Sequence, residues 1–160
     1  MDATELAQKL ARAERPMLSV RARTNLRAFA EAYFSRDGSA PPADRIDWLL
    51  DDIADFLGQV GGRARFVFGA CLFAVSWGSG VLVGRPFSPL RALPIDVRIE
   101  AIERVEKAPL VALAFFALRA LCSLVYYEHP DAAAEIGWDQ RCLKPTARDA
   151  RDLPIAAEAT

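Results

Sequence analysis

The sequence predicts an all-α protein, a single bundle-like domain of about six to eight helices around two apolar central helices. Three observations lead to this prediction. Apolar residues recur with helical spacing along most of the 160 residues. No segment alternates with period two for long enough to form a strand. Two runs, residues 66–83 and 110–127, are apolar on nearly every face, which is typical of central or lipid-facing helices.

The domain boundaries follow the change from apolar to polar composition. We expect residues 1–17 to form a short helix and linker, 18–142 the helical domain, and 143–160 an extended or disordered tail. The first residues show neither the basic and then apolar order of a signal peptide nor a twin-arginine motif. We therefore expect a cytoplasmic protein that can lie peripherally on the inner membrane.

Composition narrows the class of function. Hydrophobic residues make up 52% of the chain and the net charge is −1. This share of apolar residues predicts deep burial, a large apolar interface or contact with lipid. A nucleic-acid partner is not expected, because no basic stripe is present. The three cysteines are not closely spaced, and we expect free thiols.

The first half of the domain shows two amphipathic helices. Ser19 is placed to cap a helix whose apolar stripe includes Leu26, Phe29 and Tyr33. The following loop, residues 35–42, is rich in Ser, Gly and Pro. A second helix follows from Asp44 and ends before two glycines. Its acidic residues could be drawn as a metal cluster, but a solvated helix face is the interpretation we favour. They are Asp47, Asp51, Asp52 and Asp55.

Residues 66–84 contain no charge and are long enough to cross the hydrocarbon core of a bilayer. Three interpretations stay open: a buried central helix, a surface that dips into a membrane, and a true span. The candidates for membrane contact are Phe66, Phe68, Phe73 and Trp77. The Gly-Ser-Gly at 78–80 predicts that the helix breaks near Trp77.

The second half begins with an amphipathic helix that starts around residues 94–96 and ends at Lys107. Pro109 suits the first turn of the next helix, which is apolar apart from Arg119 and Ser123. Arg119 favours a protein core over mid-membrane, where an arginine costs at least ~2.5 kcal/mol. In a core it needs a carboxylate, and Asp47, Asp55 or an acid of a partner protein could serve.

No constellation predicts catalysis, a bound cofactor or a metal. His129 with Glu128 and Asp131 lacks a nearby nucleophile, and a His-Pro turn after a helix is common. His129 is also the only histidine, and no CxxC pair is present, so a metal site is not expected. Aromatic residues and the histidine are concentrated at and after the end of the last long helix. This cluster predicts a protein interface or a core edge. The interface candidates are Tyr126, Tyr127, His129, Trp138, Asp139 and Arg119.

One resemblance covers most of the domain. The residues that carry it are Arg98, Ile102-Glu-Arg104, Lys107-Ala-Pro-Leu110, Leu118, Leu124-Val-Tyr-Tyr-Glu-His-Pro130 and Ile136-Gly-Trp-Asp139, with an opening helix from Leu18 to Phe34. This pattern resembles the gluconate 2-dehydrogenase subunit 3 family and is similar to the helical N-terminal region of long-chain alcohol oxidases. Two features depart from the family. An export signal is missing, and Gln140-Arg141 stands where glycine and proline usually follow.

The resemblance implies an all-α accessory subunit without its own active site. Its partner would be an FAD-dependent oxidoreductase of the glucose–methanol–choline class, acting on alcohols, sterols or sugars, and FAD would be bound by that large subunit. Two alternatives come from the residues themselves. One is a small membrane-associated or single-span structural protein. The other is a helical bundle that binds an apolar ligand in space left by Gly69, Ala70, Gly78 and Gly80.

Overall fold

The computed structural model describes residues 18–138, and these form six α-helices and no strand. The all-α prediction is confirmed. The helices are α1 (Val20–Tyr33), α2 (Ala43–Gln59), α3 (Gly62–Leu82), α4 (Ile95–Lys107), α5 (Pro109–Tyr126) and α6 (Pro130–Glu135), with a short 3-10 turn (Leu90–Ala92) before α4. The predicted first helix, the C-terminal tail, Asp139 and Cys142 lie outside the described residues.

Local chemistry sets several helix ends where the sequence predicts them. The Ser19 hydroxyl accepts a hydrogen bond from the amide of Ala22 and so caps α1. Pro109 occupies the first turn of α5, where its missing N–H costs nothing. Beyond α6, Gly137 adopts a φ of +75°. This left-handed conformation lets Trp138 donate its amide to the carbonyl of Ala133 and closes the helix end.

The core is formed by one stripe from each long helix. Helices α1, α2 and α4 are amphipathic, and their inner faces cover the inner sides of α3 and α5. Fully buried side chains from these helices include Leu26, Phe29, Ile46, Leu49, Leu50, Ile53, Val75, Val105 and Leu118. Leu90 and Leu93, in and after the 3-10 turn, complete the core. The two apolar helices therefore face one layer of amphipathic helices.

Helix α3 continues through Gly78-Ser79-Gly80, so the predicted break near Trp77 is wrong. The Ser79 hydroxyl donates to the carbonyl of Val75, which keeps the buried serine satisfied inside the helix. Gly80 allows the chain that follows α3 to fold back against the helix. A Cβ at this position would overlap the Ser88 carbonyl oxygen and lie 2.8 Å from that of Arg85. The glycine is required by close backbone approach, and the helix is not interrupted.

Helices α3 and α5 pack antiparallel. Near one end of the pair, a Cβ at Gly78 would lie only 3.2 Å from a side-chain methyl of Val111. At the other end, residues before Leu72 lie beside Leu118 and Leu121. The Val111 side chain thus lies against Gly78, and backbone lies against Gly80. Gly69 and Ala70 face solvent. An open apolar cleft of about 390 Å³ lies beside Gly78, between the end of α3 and the start of α5.

A polar cluster ties α4 to α1. The Arg98 guanidinium donates to the carbonyls of Leu93 (2.6 Å) and Arg91 (3.3 Å) and to a carboxylate oxygen of Glu31 (2.8 Å). Arg91 in turn donates to the side-chain oxygen of buried Asn25. Because Arg98 and Glu31 are largely buried, each charge depends on these partners for its solvation.

The acidic face of α2 serves mainly to hold α1. Asp51 accepts from Arg23 at 2.7 Å, and Asp47 pairs with Arg27. Among residues 18–138, no group of three or more His, Cys, Asp or Glu side chains is placed to bind a metal. The pKa of Asp52 is raised by burial and by its neighbours Asp55 and Asp51. The pairs with α1 mean that this face is not simply solvated.

Two alanine substitutions in the same helix test the close approach at Gly80. Gly80→Ala forces a methyl group against fixed backbone oxygens and should lower the free energy of unfolding by about 2 kcal/mol or more. Gly69→Ala is the matched control: nothing lies within 4 Å of its Cβ position. This change should raise stability by about 0.5–1 kcal/mol, because alanine is the better helix former. Urea unfolding measures both, and equal effects would contradict the packing described.

Candidate interaction surfaces

The outer sides of α3 and α5 form one continuous apolar surface, which we call the α3–α5 face. Both outer stripes lie on the side opposite the core, and the helices are adjacent and antiparallel. Its large exposed side chains are Phe66, Val67, Phe73 and Val81 from α3 and Leu110, Leu113, Phe116 and Leu124 from α5. Half-buried Trp77 lies against Phe73, with ring centroids 6.0 Å apart. An exposed apolar patch of this kind marks an interaction site.

The two apolar helices pack together as predicted, but they are not deeply buried. Only 33% of the most apolar window of α3 and 28% of that of α5 are buried within the chain. Each helix is long and apolar enough to cross a membrane by length and composition alone. The reason for their exposure is geometric: three amphipathic helices cover one side of the pair and leave the other side open.

The four residues proposed for membrane contact divide between the two sides of α3. Phe66 and Phe73 are 76% and 60% exposed and lie on the α3–α5 face. Trp77 lies on the same side. Phe68 is 8% exposed and belongs to the core, so it is not part of this face. The spacing explains the result, since residue 68 is about 200° around the helix from residue 66.

Arg119 is exposed and pairs with Glu106 of α4 at 2.7 Å. The predicted partners Asp47 and Asp55 are therefore wrong for this arginine, and Asp47 pairs with Arg27 instead. Arg119 lies on the side of α5 turned towards α4. The apolar stripe of α5 consequently runs past it without a charge.

An open groove of about 570 Å³ lies between α2, α3 and α5. Its lining is almost entirely apolar and includes Phe56, Val67, Cys71 and Leu121, with Arg63 at its edge. Cys71 is a free, partly exposed thiol, whereas Cys122 is buried nearby in α5. Burial raises the pKa of the Cys122 thiol to about 12. Cys122 is therefore a packing residue, and the groove belongs to the edge of the α3–α5 face.

Positive charge borders the α3–α5 face at both ends. Arg63 and Arg65 lie in the first turn of α3, and Arg85 follows its C-terminus. Lys107 closes α4 directly before α5. None of these four side chains makes an ion pair within residues 18–138. Residues 61–95 and 107–127 contain six Arg or Lys and no Asp or Glu, so all 21 acidic residues lie elsewhere in the chain.

A second surface lies where α5 ends and α6 begins, and we call it the α5–α6 corner. Its centre is Tyr126, which is buried and stacks on Phe34 with ring centroids 3.9 Å apart. Tyr127 is half-buried and meets the edge of Tyr126. Two adjoining clefts of about 220 and 170 Å³ open here. Both share Phe34, Arg36 and Tyr126 in their walls, so the corner is concave, aromatic and polar.

Glu135 organises the charges of the corner. Its carboxylate accepts from Arg45 at 2.6 Å and lies 3.2 Å from Arg36. The hydrogen bond from Arg45, together with both positive charges, lowers the pKa of Glu135. The same bond raises the pKa of Arg45, to which the nearby Tyr126 hydroxyl also contributes. These contacts attach α6 to the first turn of α2 and to the loop before it.

The remaining interface candidates have mixed placements. His129 is the N-cap of α6: its ring nitrogen accepts the amide of Asp131 at 3.3 Å. The imidazole also meets Trp48 edge-on, with centroids 5.3 Å apart. Trp138 is 38% exposed beside exposed Ile136. Arg119 is not part of the corner. The interface assignment stays a prediction for Tyr127 and Trp138, whereas Tyr126 and His129 have packing and capping roles in the isolated chain.

Residues 18–138 provide two surfaces suited to binding, and no reaction centre is recognisable among them. Several charged side chains there form ion pairs, and most of these pairs join helices. Searches for similarity found no matching family model, no similar curated protein and no similar solved structure. The resemblance to the gluconate 2-dehydrogenase subunit 3 family therefore stays an expectation from the sequence.

The Glu135 cluster predicts a pH-dependent contribution to stability. Because the folded pKa of Glu135 is lowered from its ordinary value of 4.5, its contribution is present above that value and is lost as the pH falls through the lowered pKa. Glu135→Gln should lower the urea midpoint at neutral pH, and the two proteins should converge in acid.

The control is Glu103→Gln, which removes an exposed carboxylate without an ion pair in the described residues. It should leave the neutral-pH midpoint almost unchanged. An equal loss for both variants, or a difference that persists well below pH 4.5, would refute the role given to Glu135.

Proposed function

We propose that this protein is a non-catalytic accessory subunit that binds a larger FAD-dependent oxidoreductase of the glucose–methanol–choline class. The partner carries the FAD and acts on alcohols, sterols or sugars. This chain stabilises it and supplies no catalytic group. The proposal includes a cytoplasmic location at the inner membrane. Its identification of the partner rests on the sequence resemblance from Leu18 to Asp139.

The observation that supports a protein partner is the composition of the α5–α6 corner. Protein interfaces are enriched in Tyr, Trp and Arg, and a few such residues that become desolvated in well-packed pockets account for most of the binding energy. The corner provides this composition: Arg36 lines both clefts and Tyr127 one of them, with exposed Trp138 at the end of α6. The family-like residues 124–130 and 136–139 fall on the same part of the chain.

The corner is also rigid enough to act as a preformed interface. Stacking of Phe34 on Tyr126 and the pair between Arg45 and Glu135 join α1, α2, α5 and α6. A partner that contacts Tyr127 and Trp138 would not have to order these elements first. Preorganisation of this kind lowers the entropy cost of association.

Affinity capture of the full chain from cells of its native source tests the proposal. A retained large protein should release flavin on denaturation, and the complex should reduce a dye when an alcohol, sterol or sugar is added. A chain that is monodisperse alone and retains no flavoprotein would overturn the proposal. The flavin measurement separates a specific partner from unspecific capture by the apolar face.

Two substitutions locate the interface. Tyr127→Ala and Trp138→Ala should each weaken the complex about tenfold or more, as truncation of an interface hot spot does, with a smaller effect on unfolding. Phe116→Ala is the control, since this residue is an equally large exposed aromatic on the α3–α5 face and should leave partner affinity unchanged. If the two corner variants lose stability in step with binding, the cluster is a core edge.

A further inference from the structure

The α3–α5 face differs from the corner in chemistry. Its outward side chains are Phe, Leu, Val, Ala and Trp, and the one charge within α5, Arg119, is turned to Glu106. A protein interface usually carries about one hydrogen bond per 100–200 Å². Side chains along this face offer almost no partners for such bonds. Acyl chains need none, so the composition fits lipid better than a second polypeptide.

The charges around the face add a second, independent observation. Arg63 and Arg65 flank one end and Arg85 and Lys107 the other. No carboxylate is present in residues 61–95 or 107–127 to neutralise them. Cationic side chains at the rim of an apolar surface are attracted to anionic headgroups. From these two observations we propose that the α3–α5 face docks flat on a membrane surface that contains anionic lipid.

The packing of the domain determines how the helices would lie. Helices α1, α2 and α4 run against the inner sides of α3 and α5 and carry charged pairs such as Arg23–Asp51 and Arg98–Glu31. If α3 and α5 crossed the bilayer in this arrangement, these charges would enter the hydrocarbon, which is strongly unfavourable. The helices therefore lie parallel to the membrane plane, and only their outer side chains enter it.

The aromatic residues support shallow insertion. Phe66 and Phe73 project from α3 and Phe116 from α5, and Trp77 lies between apolar neighbours with a polar indole N–H. Large amphipathic aromatics favour the boundary between headgroups and acyl chains. Leu113 and Leu124 lie on the adjacent helix at similar exposure. Docking of the face would thus insert side chains into the membrane without inserting backbone.

A second copy of this chain is a poorer occupant. Because both ends of the face are positively charged, two copies placed face to face bring cations together in either alignment. An anionic lipid surface neutralises the same charges. This difference in charge complementarity selects lipid over self-association.

Vesicle flotation with the full chain tests the docking. Vesicles of phosphatidylcholine are compared with vesicles that also contain phosphatidylglycerol. We expect binding to the anionic vesicles, weaker binding to the neutral ones, and a decrease as salt is raised, because salt screens the rim charges. No binding to either vesicle, or binding that is independent of lipid charge and salt, would overturn the proposal.

Matched variants identify the face. Leu113→Asp and Phe73→Asp change exposed residues on different helices, so neither alters the core. Each should lower the partition onto anionic vesicles about tenfold. Val20→Asp introduces the same charge at an exposed apolar residue of α1. It should lower the partition onto vesicles only by the small amount due to the added negative charge. Arg63→Glu should weaken binding more than Arg21→Glu on α1.

Two further results complete the test. Circular dichroism melts establish that both face variants are folded, and retained vesicle binding in both folded variants would overturn the proposal. Light scattering reveals a dimer, and a dimer that Leu113→Asp dissociates would assign the face to a second copy. Tyr127→Ala should leave vesicle binding unchanged, so failure of lipid docking and failure of the partner interface are distinguishable.

Discussion

The antiparallel contact between α3 and α5 is the constraint on which the rest of the structure depends. Each helix is apolar around most of its circumference, so each has more apolar surface than a single neighbour can cover. Gly78 lets the two axes approach closely at Val111. The other helices then form one layer on the inner side of the pair. Within residues 18–138, these helices cover one side of the pair and leave the other exposed.

Charge is distributed to suit this one-sided packing. Most ion pairs that join helices in residues 18–138 lie among α1, α2, α4 and α6, such as Arg23 with Asp51, Arg98 with Glu31, and Arg45 with Glu135. The exception is Arg119 of α5 with Glu106 of α4. The exposed pairs, such as Arg23 with Asp51, add little to stability individually. Their main effect is to fix how the amphipathic layer is assembled. Residues 61–95 and 107–127 carry cations and no acid, so a carboxylate that pairs with one of these cations must come from another segment or from a partner, as Glu106 of α4 does for Arg119.

The sequence predicts elements that depend on local chemistry. The cap at Ser19 and the start of α5 at Pro109 are set within a few residues, and both predictions are confirmed. The left-handed conformation of Gly137 is set equally locally. Prediction from the sequence fails where segments that are distant in the chain meet. Gly80 looks like a helix breaker because the backbone that packs on it, at Ser88, cannot be inferred from spacing. The partner of Arg119 is on α4 for the same reason.

The candidate surfaces show the same limit. Hydrophobicity alone could not separate Phe66 and Phe73, which are exposed, from Phe68, which is in the core. Helical spacing does separate them once α3 is known to be continuous. The burial of Tyr126 against Phe34 also needed the fold, since α1 and α5 are far apart in sequence. By contrast, the lack of acidic residues in 61–95 is visible in the sequence itself.

The two surfaces are adjacent because α5 contributes to both. Tyr127 follows Leu124 by three residues and Ala120 by seven, spacings that bring all three to one side of the helix axis. A protein bound at the α5–α6 corner would therefore lie next to the α3–α5 face. Both surfaces could be occupied together, and attachment to one would raise the effective concentration at the other. A small subunit built this way would hold a larger enzyme at the membrane through shape and charge, without a catalytic group of its own.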